Sequence, residues 1–84
     1  MRERITVEAR FEAEGRVQPL AFEWRGLRFR VASVGRAWQE VSERRFLVMT
    51  PEEQVYELAY APEPAAGQWW LLRVPKGLLG GTLA

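Results

Sequence analysis

The residues with the most chemistry to offer are arginines set beside aromatic rings. Arg25, Arg28 and Arg30 lie in or next to a stretch that also holds Trp24 and Phe29; Arg36, Arg44 and Arg45 flank Trp38; Arg73 follows Trp69-Trp70. A guanidinium neutralises a phosphate and an aromatic face stacks a base, so such pairs on a small β-barrel suit single-stranded nucleic acid. The candidate nucleic-acid-binding set is Arg28, Arg30, Arg36, Trp38, Arg44, Trp69 and Arg73. The competing reading is purely structural. It puts Trp24, Phe29 and Phe46 in the core and makes Arg28 and Arg30 the solvated face of a hairpin, paired with Glu. Trp38 and one of Trp69 or Trp70 are the aromatics left for an exposed position.

Catalysis has little to work with. The chain contains no His, Cys or Asp, which removes the common triads, thiol nucleophiles and most general bases. Ser33 and Ser42 sit in no nucleophile-elbow pattern. Glu52 and Glu53 are adjacent on a turn, where both face water and neither gains the burial that shifts a carboxylate pKa. A metal would have to be held by Glu alone, which suits Mg²⁺ or Ca²⁺, and no loop alternates acidic ligands. Gly77-Leu78-Leu79-Gly80-Gly81 lacks the Lys-Ser/Thr of a phosphate loop. The expectation is a non-catalytic module with no catalytic residues, no metal and no cofactor.

Size and composition agree with a binding or assembly role. Eighty-four residues make one domain. A chain of that length buries roughly 60–65% of its unfolded surface, so each large side chain matters to the core. A hydrophobic fraction of 48% is too high for a disordered chain. The cations are eleven Arg and one Lys, and the anions are all Glu; Asn is absent with Asp. That bias is thermophile-like, although a GC-rich genome would favour Arg as well. The net charge of +1 supplies no long-range basic field, so any attraction for phosphates must come from local clustering. Residues 1–10 lack the apolar run of a signal peptide, and no stretch nears the roughly 20 apolar residues that span a bilayer. A cytoplasmic protein with no membrane partner is expected.

Period-two patterning dominates the chain. Ile5, Val7, Ala9 and Phe11 alternate with Arg4, Thr6, Glu8 and Arg10, which predicts a half-buried strand. Glu12 to Arg16 reads as a turn. Leu20, Phe22 and Trp24 then mirror Leu27, Phe29 and Val31 across Arg25-Gly26. A two-residue turn sets Trp24 opposite Leu27, Phe22 opposite Phe29, Leu20 opposite Val31, and Glu23 opposite Arg28 on the other face. A slip of one residue would scramble both faces. Its cost is Arg25 at positive φ. Residues 34–44 are less regular; the three-residue spacing of Trp38 and Val41 allows a helical turn, and a loop or strand corner fits equally well. Arg45 to Thr50 and Gln54 to Tyr60 form a second hairpin around Pro51-Glu52-Glu53. Residues 61–67 connect to a last strand, Gln68 to Val74.

Six short strands predict an all-β fold: a single small antiparallel meander, closed or strongly curled into a barrel, over residues 1–76, with 77–84 as a flexible C-terminal tail. The expected core is Val7, Phe22, Phe29, Val31, Phe46, Val48, Leu58 and Leu72. Phe46 to Met49 and Trp69 to Leu72 are apolar on both faces, so barrel closure with a covering segment, or a second subunit, must shield the outside.

The order of landmarks carries a resemblance. Pro19, Phe22, Trp24, Gly26, Phe29, Val31 and Val34 are followed by Trp38, then Arg45-Phe46-Leu47-Val48-Met49-Thr50, then Val55 to Tyr60, then Trp69 to Val74. Over residues 17–74 this resembles a family of small uncharacterised bacterial β domains, related to the C-terminal domain of the inactive Y-family polymerase subunit of the mutagenic translesion complex. The resemblance implies a DNA-repair setting and brings no catalytic residues. The expected function is a β module in a DNA-associated assembly, with weak binding of single-stranded nucleic acid or of a repair protein. The rival is a protein-interaction or self-assembling module, a homodimer, that binds no nucleic acid. Salt separates them, because phosphate contacts weaken steeply with ionic strength.

Overall fold

The computed structural model describes residues 2–62 and 67–75. Residues 63–66 of the expected connecting loop, and the expected tail at 77–84, lie outside that set. The described residues form seven strands: β1 (Glu3–Phe11), β2 (Val17–Trp24), β3 (Leu27–Arg30), β4 (Ser33–Glu40), β5 (Glu43–Met49), β6 (Val55–Ala61) and β7 (Gln68–Arg73). They form one sheet in the order β3-β2-β1-β7-β6-β5-β4, and every pairing is antiparallel. The described residues contain no helix. The fold is all-β, as the alternation demanded.

The edge strands β3 and β4 are consecutive in the chain, so the sheet must curl until residues 31 and 32 can span from one end to the other. The bridge is short. Val31 N–H donates to the Leu20 carbonyl of β2 at 2.9 Å, and Ala32 N–H donates to the Met49 carbonyl of β5 at 2.7 Å. One extended segment thus pairs with one end of the sheet and then with the other, giving a strongly curled half-barrel. At one end of the curl Trp24 Nε1 donates to Glu3 Oε1 at 3.1 Å.

The β2–β3 hairpin has the register read from its two faces: Trp24 faces Leu27, Phe22 faces Phe29 and Glu23 faces Arg28. Arg25 and Gly26 have φ of 52° and 78°. This left-handed pair matches the twist of the flanking strands. A Cβ built on Gly26 meets nothing within 4 Å, so a substitution there is opposed by backbone conformation alone. Gly26→Val should therefore destabilise by about 1–2 kcal/mol, measured by urea unfolding.

Three bulges correct the expected pattern. In β2, Glu8 pairs with Ala21 and Ala9 with Pro19, so Leu20 is the extra residue. Leu20 is exposed, while Pro19, Ala21 and Phe22 are buried; the expected inward pairing of Leu20 with Val31 survives only as the backbone hydrogen bond. In β7, Leu58 pairs with Leu71 and Glu57 with Arg73, which sets Leu72 aside. Leu71 is fully buried and takes the core place expected of Leu72, which is half-buried. In β4, Gly35 is extra between Val34 and Arg36. Residues 33–40 are therefore a strand, so of the helical turn, loop and strand corner that 34–44 allowed only the extended reading holds, and the described residues form seven strands rather than six. The bulge moves the inward positions from Val34 to Ala37, a spacing of three that imitates a helix in sequence.

The core lies in the concave face. Phe22, Phe46, Val48 and Leu58 are buried as expected, and Val7, Phe29 and Val31 are partly buried against them. Phe22 stacks on Phe29 at 5.1 Å and meets Tyr56 edge-on at 5.1 Å. Trp69 also points inward, 8% exposed, between Phe46 and Tyr60.

Candidate nucleic-acid interface

The convex face is set by the strand registers. Arg4 of β1 pairs with Trp70 of β7, Trp70 with Ala59 of β6, Ala59 with Arg45 of β5, and Arg45 with Trp38 of β4. Paired residues share a face, so these five side chains form one row across five strands. Adjacent strands lie about 4.8 Å apart, which separates Trp38 from Trp70 by about 14 Å along the row.

Each tryptophan of the row carries an arginine. The Arg36 guanidinium lies 4.6 Å from the Trp38 ring centre. Arg2 and Arg4 lie 4.8 and 5.5 Å from the Trp70 ring centre. Trp38 Nε1 donates to Glu40 Oε2 at 2.8 Å, which fixes the ring against β4. Both tryptophans are half-buried. The outer aromatic positions of β4 and β7 are thus covered in part by arginine side chains, whose stems lie along apolar surface while the charged heads stay in water.

Between the two stacks runs an alternating chain of charges. Glu43 accepts from Arg2 at 2.7 Å and from Arg45 Nε at 2.7 Å. Glu57 accepts from Arg45 Nη1 at 3.1 Å and lies 3.5 Å from Arg73 Nε. Glu43 and Glu57 are both buried. The hydrogen bond from Arg2, reinforced by Arg45, holds the Glu43 carboxyl below the usual carboxylate range against the opposing effect of burial. The same pair pushes the Arg45 guanidinium further up, chiefly through its bond to Glu43. No buried side-chain nitrogen or oxygen among the described residues lacks a partner.

Arg2, Arg45 and Arg73 are neutralised in this chain, and Arg4 and Arg36 are not. Among the described residues neither has a carboxylate within 4.0 Å. The face therefore offers two indole rings, each with an arginine whose charge is not spent on a carboxylate.

The seven residues singled out in the sequence do not form one patch. Arg36, Trp38 and Arg73 share the convex face. Arg28 and Arg30 are on the short edge strand β3, where Arg28 pairs with Glu8 and Glu23. Arg44 lies on the concave side, and its Nη1 donates to the Gly15 carbonyl at 3.0 Å. Trp69 is in the core and presents no face to a ligand. Its neighbour Trp70 holds the outer position, and Arg4 and Arg45 complete the row. Trp70 had a signal, since one of the adjacent tryptophans had to face outward. Arg4 had none, because only the β1–β7 pairing brings it there.

Among the described residues, no group of three Glu converges as a metal site would require. Nor do the described residues contain a helix long and apolar enough to cross a membrane. No protein-family model, curated protein or solved structure matches the chain.

Proposed function

We propose that this chain is a non-catalytic β module that binds single-stranded nucleic acid on its convex face. One observation carries the reading. Trp38 and Trp70 sit at two points of one row, and each has over its ring an arginine, Arg36 or Arg4, with no carboxylate partner among the described residues. Two tryptophans outside the core of an 84-residue domain are apolar area withheld from folding, which a ligand can use. A base stacks on the indole or on the guanidinium plane above it, and the adjacent phosphate meets the charge. Among the described residues no helix is available to enter a major groove, so binding depends on charge and stacking rather than on base edges. The translesion-repair setting has only the resemblance of residues 17–74 behind it.

The test is anisotropy of labelled oligo-dT titrated with protein at low and moderate salt. Binding is expected at low salt and should weaken as salt rises. Trp70→Ala should lose roughly tenfold in affinity or more, from a stacking contribution of about 1–3 kcal/mol per base. Arg4→Ala and Arg36→Ala should each reduce the salt slope by about 0.7. Arg44→Ala, on the other side of the sheet, should leave affinity unchanged. Absence of binding at low salt would overturn the proposal.

A further inference from the structure

Among the described residues, the outer strand β4 ends the sheet with an unpaired edge. It is eight residues long and carries no Pro, and beyond the Gly35 bulge Arg36 to Glu40 run in unbroken register with β5. The other edge strand, β3, is four residues long. Past the Gly35 bulge, β4 presents Arg36, Trp38 and Glu40 in succession on the convex face. They are already linked to one another, Arg36 over the Trp38 ring and Trp38 Nε1 bonded to Glu40. The ladder reads cation, aromatic, anion, with equal spacing on either side of Trp38.

We infer that β4 is a dimerisation edge, and that its occupant is β4 of a second copy of this chain, running antiparallel about a two-fold axis at Trp38. An isologous contact must be self-complementary, and this ladder is. With Trp38 opposite its own equivalent, Arg36 of each copy faces Glu40 of the other, and both charge pairs are satisfied. Moving the axis to Arg36 sets arginine against arginine, and moving it to Glu40 sets glutamate against glutamate. Like charges directly opposite destabilise a strand pair, which excludes those two registers, and among axes from Arg36 to Glu40 only the one at Trp38 sets Arg36 opposite Glu40. The paired backbone supplies the hydrogen bonds that the open edge lacks. The inference stands apart from the nucleic-acid reading and is tested without any oligonucleotide. The two meet at Arg36, which cannot serve a phosphate and a glutamate of the second copy at once.

The experiment is sedimentation equilibrium of the full chain over a concentration series, with circular dichroism confirming that each variant is folded. The unaltered protein is expected to dimerise. Arg36→Glu and Glu40→Arg each place like charges opposite one another at both pairs, and each should weaken self-association by on the order of tenfold or more. Mixing these two variants restores opposite charges at both pairs, so the mixture should dimerise as the unaltered chain does. Three results would overturn the inference: an unaltered protein that stays monomeric, single variants that still self-associate, or a mixture that stays monomeric. Single variants that still associate would place the dimer on another surface, and a mixture that stays monomeric would place it in another register.

Discussion

Replacing Phe22 by alanine is expected to lower the free energy of unfolding by about 3–5 kcal/mol. The ring is 1% exposed and lies between Phe29, stacked at 5.1 Å, and Tyr56, edge-on at 5.1 Å. It fills the centre of the curl beside Trp24, where the β2–β3 hairpin closes over β6. Neighbouring side chains are anchored to three different strands and cannot all move into the space. The loss combines the transfer energy of the ring with a cavity that stays partly open. A domain of this size has a total stability of roughly 5–10 kcal/mol, so the variant should be near its unfolding midpoint in mild urea. Val41→Ala, at a position 91% exposed, serves as the control and should change stability by less than about 0.5 kcal/mol. Urea denaturation followed by tryptophan fluorescence measures both.

Glu43→Ala is expected to cost on the order of 2 kcal/mol, because it removes charge-assisted hydrogen bonds from Arg2 and Arg45, whose side chains keep part of their contact with water. Glu43 is 8% exposed and accepts hydrogen bonds from Arg2 and Arg45, both at 2.7 Å. Without it, Arg45 retains only Glu57, and Arg2 loses its partner across the sheet. The same carboxylate makes stability depend on pH. Its pKa in the folded state is held below the usual value, chiefly by the bond from Arg2. The unfolded chain therefore binds the proton more readily than the folded one. The stabilisation is fully present above the unfolded value, about 4.3, and is lost as pH falls through the lower folded value. Thermal melts between neutral pH and pH 3 should show the midpoint falling in that acid range. In Glu43→Gln the midpoint should start lower and fall less. A Glu43→Gln profile parallel to that of the unaltered chain would show that Glu43 does not carry the acid sensitivity.

What the sequence made legible follows from burial. Strands with one wet and one dry face write their alternation into the residues, and β1, β2–β3 and β6 were readable for that reason. The match of Glu23 to Arg28 fixed a hairpin register that the structure shows unchanged. Strand β4 was not readable. It is an edge strand with little buried on either face, so Arg36, Trp38 and Glu40 alternate with Ala37 and Gln39 without an apolar side. The Gly35 bulge then shifts the parity. The bulges at Leu20 and Leu72 misled in the same way, since adding one residue moves every later side chain to the opposite face. Tryptophan placement was half legible. Trp69-Trp70 had to split between faces, but only the pairing of Tyr60 with Trp69 and of Ala59 with Trp70 decides which goes inward. The convex row was out of reach, because it depends on β1 closing against β7, a contact between the two ends of the described chain.

The convex face can be interrogated through the four indole N–H groups. Trp24 and Trp69 are buried in the concave core, and Trp38 and Trp70 lie on the outer row. The decisive measurement is a ¹⁵N–¹H correlation spectrum of the labelled protein titrated with oligo-dT at low salt, with the four indole signals assigned by substitution. The expected result is progressive shifts of the Trp38 and Trp70 signals, reversed by added salt, while those of Trp24 and Trp69 stay in place. Indole signals that all remain fixed, or shifts at Trp24 and Trp69 without Trp38 and Trp70, would contradict a nucleic-acid-binding surface on this face.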